Sequence, residues 1–175
     1  MSYSFDVGQA HFAVVNTDPV GRDGVAPTGW LASDLASARA RGLRRFFVFG
    51  HKPAFNYVYK KNPKKTEGVG LDKFPTQRDA FWDVIEQFGA TYFCGHEHMF
   101  NMAQPRNCAW QVLVGTGGSP WDAKPGEQTL HPQSDRSYAW ASVDVHRSGR
   151  VDMTVYGFSD SFGPTRVIRR VTLAK

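Results

Sequence analysis

Cysteine is scarce. Two residues, Cys94 and Cys108, stand in 175, too few for a disulfide framework, and their place in apolar strand-like runs reads both as buried thiols. Long apolar runs are also missing. No stretch approaches the roughly 18 residues that a membrane-spanning helix needs, so no membrane partner is expected. The opening residues lack the basic-then-apolar order of a signal peptide, and the compartment is left open. There is no internal repeat and no excess of acid. Lys and Arg number 21 against 16 Asp and Glu, which favours anionic partners, phosphorylated ones included. The basic residues form no single stripe and accompany no nucleic-acid motif, which argues against nucleic acid as partner.

What is present is ordinary globular chain. Hydrophobic residues make up 41%, charged residues 21% and aromatics 14%, enough for one domain with a sizeable core. The reading is a single domain over residues 1–175. Short strands are expected over residues 3–6 and 11–16, around Gly8. A helix follows over 28–41, with Thr28 as its cap, Leu31, Leu35 and Ala38 on one face and Gly42 at its end. Residues 44–49 form a strand and 52–74 a long loop. A second helix opens at Pro75 or Thr76, carries Phe81, Ile85 and Phe88 on one stripe and closes at Gly89. A strand over 90–94 completes a parallel unit. Beyond it come strands over 110–114 and 165–173 and a hairpin joining 138–145 to 151–158. The fold class is α/β (α+β).

Two of these strands end alike, in Phe49-Gly50-His51 and in Cys94-Gly95-His96-Glu97-His98. In open α/β sheets ligands bind beyond the carboxyl ends of the strands. Glycine lets the backbone turn away there, so the imidazoles project from the strand ends. Parallel neighbours ending this way would gather three imidazoles, a ligand type suited to zinc, iron, manganese or similar ions. Either motif alone is a weak signal. The two together, with a helix between them, form a candidate metal site at His51, His96 and His98.

Those residues carry a resemblance. Gly50-His51-Lys52-Pro53 resembles the Gly-His-x-Pro motif of the calcineurin-like metallophosphoesterases, and Gly95-His96-Glu97-His98 their Gly-His-x-His motif. Asn16-Thr17-Asp18, Gly29-Trp30-Leu31 and Val114-Gly115-Thr116-Gly117-Gly118 agree in order, and the chain is most similar to the purple-acid-phosphatase-like branch. The resemblance implies a metal-dependent phosphatase acting on phosphate esters. Its fold would be half of a β-sandwich, with mixed sheets flanked by two helices. His51 and His96 would then hold one metal and His98 the other, as the catalytic residues, with Lys52, Gly117 and Gly118 near the phosphate. The ion would be zinc, manganese, iron or cobalt, with magnesium as a further option.

The chain departs from the family pattern as well. The motifs Asp-x-His, Gly-Asp-x-x-Asp and Gly-Asn-His-Asp/Glu do not occur here in order; by the resemblance they belong upstream of residue 1. Asp144-Val145-His146 has the first spacing, but it runs into a hairpin turn and reads as chance. Glu97 is a candidate substitute, although alternate residues of a Gly-His-x-His turn point apart, and Asp18, His11 and His131 are further local candidates. Three histidines without a carboxylate hold a second cation poorly, so a catalytically weak metal-binding remnant is the alternative. A polyanion-binding module built on Lys60, Lys61, Lys64 and Lys65 is another, although a solvated basic loop is the plainer reading of that run. Tyr57 and Trp121 are candidate aromatic walls. Half a sandwich should also leave strands 46–49 and 91–94 short of neighbours and an apolar face open, so a homo-oligomer covering that face is expected.

Overall fold

The computed structural model describes residues 1–22, 24–56, 70–106, 108–118, 138–158 and 163–175. Tyr57, the four loop lysines, Trp121 and His131 lie outside them.

Alternating apolar and polar residues build the first hairpin, β1 (Tyr3–Val7) and β2 (Ala10–Val14), around Gly8. Helix α1 (Thr28–Ala40) buries Leu31, Leu35 and Ala38, as the three-to-four spacing requires. Thr28 is not its cap. The N-cap is Pro27, with no side-chain cap bond, and the Thr28 hydroxyl turns back to the Ala26 carbonyl at 3.4 Å. Strand β3 (Arg45–Phe49) follows, then a 3-10 turn at Leu71–Lys73 and helix α2 (Pro75–Phe88). Proline at the first turn of α2 and Gly89 at φ 61° beyond its last residue set its limits. Strands β4 (Thr91–Cys94), β5 (Phe100–Ala103) and β6 (Gln111–Val114) complete the first layer. Strands β7 (Tyr138–Val145), β8 (Val151–Phe158) and β9 (Arg166–Ala174) make the second.

The six-stranded sheet runs β1-β2-β3-β4-β6-β5. Strands β2, β3, β4 and β6 are parallel, and β1 and β5 close the ends antiparallel. The architecture is thus mixed α/β, with two described helices and an antiparallel three-stranded sheet, β7-β8-β9. The helices pack on one face, where Leu31, Leu35, Phe81, Trp82, Ile85 and Tyr92 share a buried cluster. On the other face, Phe100, Met102 and Val112 meet Met153 and Val155 of the small sheet. Arg45 ties the layers, donating to the carbonyls of Gly149 and Lys175. No described helix is long and apolar enough to cross a membrane.

Two expectations are corrected. Strands β3 and β4 do not lack neighbours; each has a parallel partner on both sides, because the first hairpin and β6 flank them. Among the described residues, exposed apolar side chains gather instead on β1, at Tyr3, Phe5 and Val7.

The cysteines also differ from each other: Cys94 is buried, but Cys108 is exposed, and both are free. Burial foremost, and then the nearby Glu97 charge, pushes the Cys94 thiol well above its usual value. Native protein should therefore give one thiol equivalent with Ellman's reagent at mildly alkaline pH. The second should appear only on unfolding, and two fast equivalents in the native state would contradict this burial.

Candidate metal centre

The β3–β4 ladder does not stop at the last strand residues. Gly50 donates its amide to the Phe93 carbonyl and Gly95 donates to the His51 carbonyl, both at 3.0 Å. The two glycine turns are therefore laced together, and the imidazoles that follow them are neighbours. His51 Nε2 and His96 Nδ1 lie 3.1 Å apart, with ring centroids 5.0 Å apart and planes at 79°.

Close approach explains Gly50 and Gly115. A Cβ on Gly50 would collide with the Tyr92 hydroxyl and with Thr17, and one on Gly115 with the Glu97 carbonyl. His96 itself has φ 70° and, among the described residues, is the only non-glycine with positive φ. Such a conformation is sparsely populated for an L-residue and collects at functional sites.

The loop after β3 is held from below. Thr17 accepts the Lys52 amide at 3.0 Å, and the Tyr92 hydroxyl donates to the Lys52 carbonyl at 2.5 Å. Burial raises the Tyr92 phenol well above its ordinary value, which keeps that proton in place as donor. The Lys52 side chain is buried, with its ammonium 2.9 Å from Asp18. After His96 the chain zigzags: Glu97 and Met99 each donate an amide to the carbonyl two residues back, and both side chains are buried.

Of the expected ligands, then, the fold brings His51 and His96 together. His98 is half-buried two residues further on. Among the described residues, no group of three His, Cys, Asp or Glu side chains converges as a ligand set. Asp18 is engaged by Lys52. His11 is not a substitute ligand; it is buried under α1, between Asp6 and Asp34. His146 pairs with Asp152 at 2.9 Å in the hairpin, as a chance Asp-x-His spacing would allow. Gly117 and Gly118 are exposed in the loop after β6. That loop starts close to the turn of β4, since a Cβ on Gly95 would sit 3.8 Å from Gly115. Thr116, fully buried, accepts the Ala139 amide at 2.8 Å and ties the loop to β7. An open cavity of about 480 Å³ lies beside the histidine turns, between Phe49 and Phe93 on one side and Ala141 and Val143 on the other.

The pair fits one cation. Two imidazoles on a tetrahedral ion, with bonds of about 2.0–2.1 Å, have donor atoms roughly 3.3 Å apart. At 3.1 Å either a shared proton or a shared metal ion satisfies the two facing nitrogens. The described residues do not fit a binuclear centre, because no carboxylate joins the pair as a third ligand.

No family model matches the sequence, and no curated protein matches it. Solved structures do. Purple acid phosphatase PPD1 from yellow lupin (Lupinus luteus) seeds superposes on 98% of this chain with a TM-score of 0.68 and 14% identity. The fold is calcineurin-like. The chain spans about a third, 32%, of that phosphatase. Vps29 from Chaetomium thermophilum aligns with 99% of this chain and 61% of its own, at 12% identity and a TM-score of 0.39, too low to bear on the fold. Within the calcineurin-like fold, the turns after β3 and β4 hold the two histidines that the sequence singled out.

Proposed function

We propose that the chain carries the histidine side of a metal-dependent phosphoesterase site. The reading rests on one observation, the 3.1 Å approach of His51 Nε2 to His96 Nδ1 at the ends of adjacent parallel strands. His51 and His96 would hold one transition-metal ion of the zinc, manganese, iron or cobalt kind, with magnesium less suited to nitrogen donors. When bound, the ion supplies Lewis acidity toward a phosphoryl oxygen and lowers the pKa of water.

The rest is the chain's own work. The bonds from Thr17 and Tyr92 to the Lys52 peptide fix the turn that carries His51. The exposed backbone at Gly117 and Gly118 offers amides to an anion, whereas the buried Lys52 ammonium is taken up by Asp18. Likeness to a purple acid phosphatase supports phosphate esters as the substrate class.

The alternative, a metal-binding remnant with weak turnover, is favoured by one feature: no carboxylate joins the histidine pair among the described residues. A polyanion-binding module would rest on lysines outside those residues.

Chelator-stripped protein titrated with cobalt(II) should develop the visible absorption of a nitrogen-ligated ion. His51→Ala or His96→Ala should each weaken binding by at least about 100-fold, since loss of a group merely hydrogen-bonded to a ligand already costs about 10–100-fold. Hydrolysis of p-nitrophenyl phosphate that depends on metal and on both histidines supports the enzyme. Binding without turnover supports the remnant, and no cobalt spectrum at all overturns both.

A further inference from the structure

The two sheets do not close on each other where the parallel strands end. The open cavity left there, about 480 Å³, falls within the roughly 300–1,000 Å³ of small-molecule sites. Its floor is the aromatic pair Phe49 and Phe93 on neighbouring strands, stacked with ring centroids 5.1 Å apart and planes at 13°. Val114 of β6 continues the floor, and Ala141 and Val143 of β7 form the roof. Phe49 is 37% exposed, so part of its ring stays open to a ligand. Gly50 and Gly95 also line the cavity, each one residue before His51 and His96. Consecutive Cα atoms stand only about 3.8 Å apart. The cavity and the histidine pair therefore share the same two turns.

We propose that this cavity is a subsite for the apolar, aromatic alcohol group of a phosphate ester. The subsite rests on the phosphoesterase reading of the histidine pair and adds which esters that site would take. Wall chemistry selects them. Among the described residues, the lining carries no charged side chain, hydroxyl or amide side chain. Its thiol, on Cys94, is turned to the Val112 carbonyl at 3.8 Å. The amides of Gly50 and Gly95 are already given to the Phe93 and His51 carbonyls. A sugar or nucleoside seated here would leave hydroxyls or ring nitrogens dry and unpaired, and that cost rejects it. An aryl ring carries no such cost and gains offset contact with Phe49 and Phe93.

Position sets this cavity apart from the other open space between the sheets. A second cavity, of about 380 Å³, reaches Gly8, Gln9 and Ala10 at the amino end of β2, with His146 and Arg147 in its wall. It adjoins neither histidine turn. In sheets of this kind ligands enter at the carboxyl ends of the strands, which is where Phe49 and Phe93 lie, one residue before the turns. Phe49 and Phe93 thus supply the stacking surface. Ala141 and Val143, as the roof, set how large a ring is admitted.

Two kinds of probe separate the cavity from the ion. With the full chain free of metal, para-fluorobenzyl alcohol should broaden its fluorine NMR line and bind at roughly millimolar concentration, as so small a ligand can. With the chain loaded with cobalt(II), benzylphosphonate should bind at least about tenfold tighter than methylphosphonate, the gain from burying one ring. Glycerol phosphate should compete no better than methylphosphonate. Ala141→Phe, which fills the cavity, should abolish alcohol binding and remove most of the preference for benzylphosphonate. Val143→Asn, which makes the roof polar, stands in if Ala141→Phe misfolds by circular dichroism. Absence of alcohol binding, or binding indifferent to both variants, overturns the subsite and leaves the metal site standing. So does equal affinity for the two phosphonates, or for glycerol phosphate and benzylphosphonate, on a chain that shows the cobalt spectrum. A chain that binds the alcohol yet develops no cobalt spectrum overturns the proposal together with the reading it rests on.

Discussion

Trp82→Ala is expected to cost about 3–5 kcal/mol of stability, much of what a domain this size holds. Trp82 is fully buried at the centre of α2. Its ring meets Phe55 edge-on, with centroids 5.2 Å apart, and fills the layer between helix and sheet. Truncation leaves a cavity that rigid neighbours such as Phe81 and Tyr92 close only in part. Trp82→Phe should behave differently. It keeps an aromatic ring beside Phe55 and removes an indole N–H that has no hydrogen-bond partner among the described residues, so the expected cost is under about 1.5 kcal/mol. Urea unfolding followed by circular dichroism separates the two. Equal losses would mean that lost volume is not the cause.

His11→Ala is expected to cost about 3 kcal/mol, for a different reason. The imidazole is 1% exposed, with Nδ1 at 2.6 Å from Asp6 and Nε2 at 2.7 Å from Asp34. A carboxylate only accepts, so both contacts are satisfied when both ring nitrogens donate. Asp34 also accepts from Ser4, and Asp6 from Arg41. One side chain thus joins β1, β2 and α1, and its removal strands Asp34 beneath the helix. Hydrogen exchange should quicken in β1 first, and unchanged protection there would refute this account. Acid acts on the same cluster. The His11 bond foremost, then Arg41, holds the Asp6 carboxyl below its ordinary value. Its contribution is therefore complete above about pH 4 and is lost as pH falls through the lowered value.

Periodicity made much of this fold legible. Leu31, Leu35 and Ala38, and Phe81, Ile85 and Phe88, mark their helix faces because each helix buries only one side. Strand β5 was not legible. Phe100-Asn101-Met102-Ala103 is buried on both faces, polar Asn101 included, so no alternation announces it. Composition also misplaced Cys108, since short apolar neighbours do not reveal an exposed turn. The role of His11 depends on a register, Asp6 opposite His11 across the Gly8 turn, and on where α1 lies above it; neither is local. The candidate site was legible as far as His51 and His96, because a glycine after an apolar strand forces an exit at a known end. Where His98 goes was not, because tight turns at Glu97 and Met99 and the burial of their side chains set its direction.

The two facing imidazoles stand 45 residues apart in the chain, with α2 and the whole β3-to-β4 crossover between them. An unfolded chain holds such distant groups together only at the entropic cost of closing a long loop. An ion gripped by both would therefore discriminate strongly between the finished crossover and the open coil, and would raise the thermal midpoint in step with its free concentration. During refolding, its capture would time the docking of β4 onto β3.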